Sequence, residues 1–289
     1  MSAFLVNADQ AKSRLDALVR ELGSLSQKKA KLLCAMGAIS VNGVCAAATT
    51  RVRDGAEVTF QTEYVDLMLS LGLPVSFADG DVLVLQKPPG IATLSVPEGD
   101  PSIEDALNRE LGGSEIVNHL DRDASGLLLV ARTAETLRLL DIAMASGSIS
   151  REFLTIVNGA VEADQQSIEL PEPQLDDTED DDDDDLPPST AELTVVARRE
   201  GFTLLNVAIA TGQTHQIRAY LHSAGHPILG DARYGDPAAN EHARATFGVH
   251  RALLHSNRLR LAHPTSETAL DITATAEPDF ARIFPTRKR

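Results

Sequence analysis

The stretch Val117-Asn118-His119-Leu120-Asp121-Arg122-Asp123-Ala124-Ser125-Gly126-Leu127-Leu128-Leu129-Val130-Ala131-Arg132 decides how the chain is read. Leu127 to Val130 is a continuous apolar run, the pattern of a buried strand. Before it stand three small residues, Ala124, Ser125 and Gly126, and before those a polar turn carrying Asp121. The turn presents a lone carboxylate at the edge of a core, where it is costly unless paired. Two readings compete at this point. One is a turn Asp that caps its own backbone; the other is a reactive group held by a partner elsewhere in the chain.

Around this window, apolar runs at 82–85, 153–157, 193–197, 203–209 and 270–274 read as further strands, and helical spacing predicts helices over 103–111, 134–145 and 215–223. Strands outnumber helices and often follow one another directly, which predicts an α+β domain with a mainly antiparallel, mixed sheet over residues 74–289. Upstream, Leu15, Leu18, Val19 and Leu22 share one helical face that ends at Gly23, and Ser26 is an N-cap for a second helix over 27–36 that Gly37 closes. Asn42-Gly43 is a strong hairpin signal. Residues 1–61 are therefore read as a separate small unit, with 62–73 acting as a linker.

Charge and composition narrow the class. The net charge of −16 argues against a generally basic nucleic-acid binder. Nine acids fall within residues 176–185, however, and without them the net charge is −7. Such a block repels itself and cannot bury a core, so about 171–189, flanked by Pro171, Pro173, Pro187 and Pro188, is expected to be a disordered insert. A plain solubilising loop and a phosphate mimic that keeps weak RNA off the site are both open readings of it. Residues 1–61 instead carry eight Lys and Arg against five acids, and Lys28, Lys29 and Lys31 sit early on the second helix, where they can meet phosphates. No run of about 20 apolar residues is present, and the start lacks the basic and apolar regions of a signal peptide. Cys34 and Cys45, the only cysteines, have no metal-type spacing and suit a reducing compartment. The expectation is a monomeric cytoplasmic protein.

The 117–132 window resembles the catalytic-Asp motif of the ribosomal large-subunit pseudouridine synthase A (RluA-type) family, usually His-Arg-Leu-Asp-x-x-Thr-Ser-Gly. Three other blocks are similar to that family in the same order. They are Asp81 to Gly90 with its Lys87-Pro88-Pro89-Gly90 turn, Arg151 to Gly159, and Thr211-Gly212-Gln213-Thr214-His215-Gln216-Ile217-Arg218 followed by His226 to Asp231 and Tyr234-Gly235. Together they cover most of residues 74–289. The two short helices and Val-Asn-Gly hairpin of residues 1–61 resemble the S4 RNA-binding domain.

The resemblance implies isomerisation of uridine to pseudouridine in structured RNA, ribosomal RNA first and tRNA second, with no metal and no cofactor. It implies that Asp121 acts on ribose or base, as nucleophile or as proton acceptor, and that Arg218 pairs with it. Phe153 falls where most of the family carries a base-stacking Tyr. His119 stands in place of an Arg that fills the gap left by the target base. Arg122, beside Asp121, is expected to meet RNA, and Lys87 either contacts phosphate or closes its turn. Asn118, Ala124 and Gln213 also depart from the family pattern. The departures at Asn118, His119, Ala124 and Phe153 support a rival reading, an RNA-binding paralogue of the same fold without turnover. A metal-dependent hydrolase using His215, His222, His226 and Asp231 is a weaker rival, because Gly225 and Pro227 interrupt that segment. No Gly-x-Ser-x-Gly elbow supports a serine hydrolase.

Overall fold

A computed structural model describes residues 2–60, 62–96, 99–169, 190–209 and 215–285. The acidic block at 171–189 and residues 211–214, with Gln213, lie outside the described residues. The first unit is a four-stranded sheet in the order β1-β4-β2-β3, built from β1 (Ser2–Leu5), β2 (Ser40–Val41), β3 (Val44–Cys45) and β4 (Glu57–Phe60). Between β1 and β2 run α1 (Leu15–Leu22) and α2 (Gln27–Ala35). The Ser26 hydroxyl accepts from the Lys29 amide at 3.3 Å, as an N-cap should. Asn42 and Gly43 both have positive φ, 52° and 75°, the requirement of a two-residue hairpin turn.

Residues 62–73, expected to act as a linker, carry structure of their own. A 3-10 turn (Thr62–Tyr64) leads into α3 (Val65–Leu71), which buries Val65, Met68 and Leu71 and ends at Gly72 in the left-handed region. These side chains join Leu18, Val19 and Leu33 of the first unit to Leu83 and Leu85 of the second in one apolar core. The reason is spacing: apolar residues three apart within 65–71 make a helical stripe.

The second unit is a ten-stranded sheet. Its path is β10-β11-β12-β9-β13-β8-β6-β5, with β14 paired to β13 and β7 to β8. The strands are β5 (Val75–Ala78), β6 (Val82–Lys87), β7 (Glu115–Ile116), β8 (Ser125–Ala131), β9 (Ser150–Asn158), β10 (Gln165–Glu169), β11 (Thr190–Arg199), β12 (Phe202–Ile209), β13 (Leu254–Ala262) and β14 (Ala269–Thr273). Helices α4 (Ile103–Glu110), α5 (Ala134–Ala145), α6 (Gln216–Ser223), α7 (Pro237–Phe247) and α8 (Pro278–Ile283) complete it. Every pairing is antiparallel except β13 with β8, which gives the mixed α+β sheet expected from the strand pattern.

Residues 82–85 of β6 and 127–131 of β8 are apolar without interruption because both faces of these strands are covered. Leu83, Leu85, Leu128 and Val130 face the main core, while Val82, Val84, Leu127 and Leu129 pack with Leu140 and Ile149. Burying each such side chain contributes roughly 1.5–3 kcal/mol, so this pair is the rigid centre of the domain. β13 lies between β8 and β9, yet His255, Ser256 and Asn257 interrupt its apolar residues, so no buried-strand pattern marks it in the sequence.

The parallel junction dictates the small-residue step before β8. Gly126, at φ 110°, pairs with Ser256, and a Cβ there would overlap the Ser256 carbonyl oxygen and lie 2.6 Å from its nitrogen. Gly126→Ala is therefore expected to cost about 3 kcal/mol or more, combining overlap with backbone strain. Urea denaturation of the two proteins measures it; a loss within 1 kcal/mol, roughly the error of such a comparison, would refute the junction as drawn.

Candidate active site

Asp121 lies on the loop between β7 and β8, and almost every residue of that loop is tied down. Asn118 is buried and its Oδ1 accepts from the Leu129 amide at 2.6 Å, pinning the loop entrance to β8. The Thr93 hydroxyl bonds the Leu120 carbonyl, and the Leu120 amide returns to Thr93 Oγ1. The Gly90 amide donates to the Arg122 carbonyl at 2.8 Å. Arg251 Nη1 donates to the Asp123 carbonyl at 3.0 Å while its Nε and Nη2 grip Asp279. Ser125 Oγ meets His255 Nδ1 at 2.9 Å.

Under the loop sits Lys87, only 1% exposed. Its ammonium donates to four carbonyls, those of Pro88, Ile91, Arg122 and Ala124, at 2.8–3.1 Å. Burial pushes its pKa down to about 8, with Asp121 acting against that shift. The expectation that Lys87 meets RNA phosphate is therefore corrected: its charge is spent inside the protein, closing the Lys-Pro-Pro-Gly turn onto the Asp121 loop.

The partner of Asp121 comes from α6. Gln216, Ile217 and Leu221 bury one face of this helix, which aims Arg218 at the loop. Arg218 Nη1 donates to Asp121 Oδ2 at 2.8 Å, and its Nε and Nη2 grip both oxygens of Asp231 at 2.6 and 2.8 Å. Asp231 is itself held by the amides of Arg233 and Tyr234 at 2.9 and 3.0 Å. The Tyr234 ring lies 5.3 Å from the guanidinium carbon of Arg218, within cation–π range. The second Asp121 oxygen, Oδ1, lies 3.3 Å from His215 Nε2. Burial alone would raise the pKa of Asp121, but the His215 hydrogen bond and the charge and hydrogen bond of Arg218 outweigh it and hold the carboxyl below its ordinary value. The result is an ionised, immobile carboxylate whose side chain is 14% exposed.

The remaining expected residues fall into three groups. Lys28, Lys29 and Lys31 are exposed on α2, with Lys29 4.0 Å from Asp66. His119 is exposed beside Asp121. Protein packed against its ring lowers its pKa first; Lys87 and His215 add to that and Asp121 opposes it. Arg122 is half-exposed but already engaged, its Nη2 on Asp100 at 2.6 Å and its Nε on the Gly90 carbonyl at 3.2 Å. Phe153, the ring expected to stack on a base, is 5% exposed and belongs to the core that includes Leu120, Ala124 and Ile217.

Sequence reasoning missed the role of Asp231, whose Gly-Asp setting was visible but whose partner was not. Gly230, at φ 80°, runs so close to the Arg251 carbonyl that no side chain fits, which seats Asp231 beneath Arg218. The rival metal cluster is not assembled: Asp231 is taken by Arg218, His222 Nδ1 meets the Tyr234 carbonyl at 2.7 Å, and His226 Nδ1 lies 3.3 Å from the Asn158 carbonyl. Among the described residues, no group of three His, Cys, Asp or Glu could hold a metal ion.

With this geometry in hand, similar proteins can be compared. The family model described as RNA pseudouridylate synthase matches residues 81–223. Ribosomal large subunit pseudouridine synthase C of Yersinia pestis is 30% identical over 294 residues, covering 93% of this chain and 90% of the relative. The protein of the same description from Escherichia coli (strain K12) is 28% identical over 304 residues, covering 96% and 94%. In fold, the chain is similar to Human RNA Pseudouridylate Synthase Domain Containing 4, with a TM-score of 0.58 at 17% identity over 73% of this chain and 91% of that one. Human RNA Pseudouridylate Synthase Domain Containing 1 gives 0.56 at 21% identity, covering 71% and 84%.

Two measurements test the supports of the loop. Lys87→Met leaves buried carbonyls without their donor and is expected to cost about 2–4 kcal/mol. The slope of log Kd for RNA against log salt should stay unchanged, whereas loss of a phosphate contact would reduce it by about 0.7–0.9. His255 is buried, and that burial, followed by the charge of Arg251, pushes its pKa from 6.5 to about 3. Between those values the unfolded chain binds the extra proton, so stability falls as pH drops from about 6.5 towards 3. His255→Asn, which keeps a partner for Ser125, should show a smaller loss of urea midpoint between neutral and acid pH than the wild type; equal losses would remove His255 from the account.

Proposed function

The chain belongs to the RNA pseudouridylate synthase family, and from that premise we propose that it isomerises uridines of ribosomal RNA using Asp121 as the reacting carboxylate. The observation that carries this reading is the Asp121–Arg218–Asp231 chain. It keeps one carboxylate ionised and fixed at the edge of the core, as a group that must attack or deprotonate a sugar needs to be.

The reaction breaks the bond between ribose C1′ and uracil N1, turns the base, and rejoins it through C5. The target nucleotide leaves its stack first, at a cost of a few kcal/mol. His119, exposed beside Asp121 and planar, is suited to stack where the base departs. Arg218 stays in place during these steps, because Asp231 grips it on two nitrogens.

The small first unit is proposed as an S4-like RNA-binding domain. Two helices followed by a Val-Asn-Gly hairpin support this, as do the three exposed lysines on the first turns of α2. Ribosomal RNA as substrate is supported by the description of the relatives. The rival without turnover rested on the departures from the family pattern. Two of these have structural settings: Asn118 locks the loop to β8, and Ala124 is buried in the apolar core.

Tritium release from total RNA labelled at uridine C5, taken from cells lacking the gene, tests the reading, since that hydrogen leaves when C5 bonds to ribose. The wild type is expected to release tritium. Asp121→Ala should fall at least ~10³-fold, and Arg218→Lys should also fall sharply, because a point charge does not replace a planar fork at a bidentate site. No release by the wild type, with RNA binding intact, would establish the paralogue without turnover. Equal release by Asp121→Ala would remove Asp121 from the chemistry.

A further inference from the structure

Arg218 accounts for one oxygen of Asp121, and the other is held by a residue without a function assigned so far. We propose that His215 is a positioning residue for Asp121, donating from Nε2 to Oδ1 so that the carboxylate meets its substrate in a single orientation. This rests on the reading of Asp121 as the reacting group. The contact is 3.3 Å long, and with Arg218 on Oδ2 at 2.8 Å it fixes both ends of the carboxylate. One donor leaves a carboxyl free to rotate about its Cβ–Cγ bond; two donors on opposite oxygens do not.

The backbone supplies an independent argument. His215 is the N-cap of α6 and stands in the left-handed region, φ 64° and ψ −3°. A residue with a β-carbon pays roughly 1–2 kcal/mol there. Its side chain makes no capping hydrogen bond to the helix, so the turn itself gains nothing from an imidazole. Glycine would fit this backbone better. The imidazole is instead steered by the Tyr234 ring, edge-on at 6.0 Å and 66°, and the same ring lies against the Arg218 guanidinium. One aromatic surface therefore sets both donors to Asp121. The two donors differ in freedom. Arg218 is clamped by Asp231 and its side chain is 12% exposed, whereas that of His215 is 33% exposed.

The groups facing Asp121 are His215 and Arg218 from α6 and, through their charges, Lys87 from β6 and His119 on its own loop. His215 and Arg218 both act to keep it ionised.

His215→Gly separates this role from a structural one. Relief of the left-handed strain should leave the Tm equal or higher, while single-turnover tritium release falls about 100-fold, the scale of a misplaced reacting group. The Kd for RNA labelled at uridine C5 should change less than twofold. His215→Gln, which restores a donor, should recover part of the rate. Unchanged release by His215→Gly, or a rate loss matched by a lower Tm and not rescued by Gln, would overturn the proposal. A second readout does not depend on turnover. The 13C titration of the Asp121 carboxyl in the full-length protein should move to higher pH in His215→Gly. An unmoved titration overturns the proposal even if the wild type releases no tritium, and a moved one upholds the contact when only the reading of the activity has failed.

Discussion

One cation between two carboxylates organises this molecule. Arg218 is shared by Asp231, which is fully buried, and Asp121, which is largely so. Taking such charges out of water costs several kcal/mol per ion, and only close geometry with further hydrogen bonds offsets it. Asp231 meets that condition, with two guanidinium nitrogens and two backbone amides on its oxygens. Asp121 meets it only in part and stays open to solvent on one side. The arrangement places its best contacts on Asp231 rather than on Asp121. The one that faces outward is thereby left with a partner that cannot move.

The sheet serves that arrangement. β6 and β8, covered on both faces, give a rigid platform, and the loop before β8 is fastened to it by a lysine as well as by the apolar packing of Leu120 and Ala124. A lysine suits this task because a loop turns its carbonyls inward at several angles, and an ammonium can meet several at once. Arg251 and His255 hold the same loop from the other side. The Asp121 carboxylate is thus fixed through its backbone from below and through its side chain from α6.

Much of this was legible in the sequence. The apolar run at 127–130 marks β8 because both faces of that strand are buried, and the spacing within 134–145 marks α5. Asp121 and Arg218 were paired by resemblance, and the distance between them agrees. β13 could not be read, because its buried positions include His255 and Ser256, whose partners come from β8 and are invisible to local patterning. Lys87 misled for a related reason: a lysine after a strand ordinarily means a solvated or phosphate-facing cation, and only the four carbonyls around it say otherwise. Phe153 was read as a functional ring from its motif, whereas its strand position already allowed a core residue. Asp231 and His215 acquire their meaning from α6 folding back over the Asp121 loop.

The supports of that loop are far from it along the chain. His255 lies 130 residues beyond the Ser125 it meets, and Arg251 lies 128 beyond Asp123. During synthesis, which proceeds at roughly 5–20 residues per second, Asp121 is exposed for some seconds before either support has been made. A nascent chain of that length carries the Asp121 loop without the frame that holds it. The loop is therefore set late, when β13 takes its place beside β8.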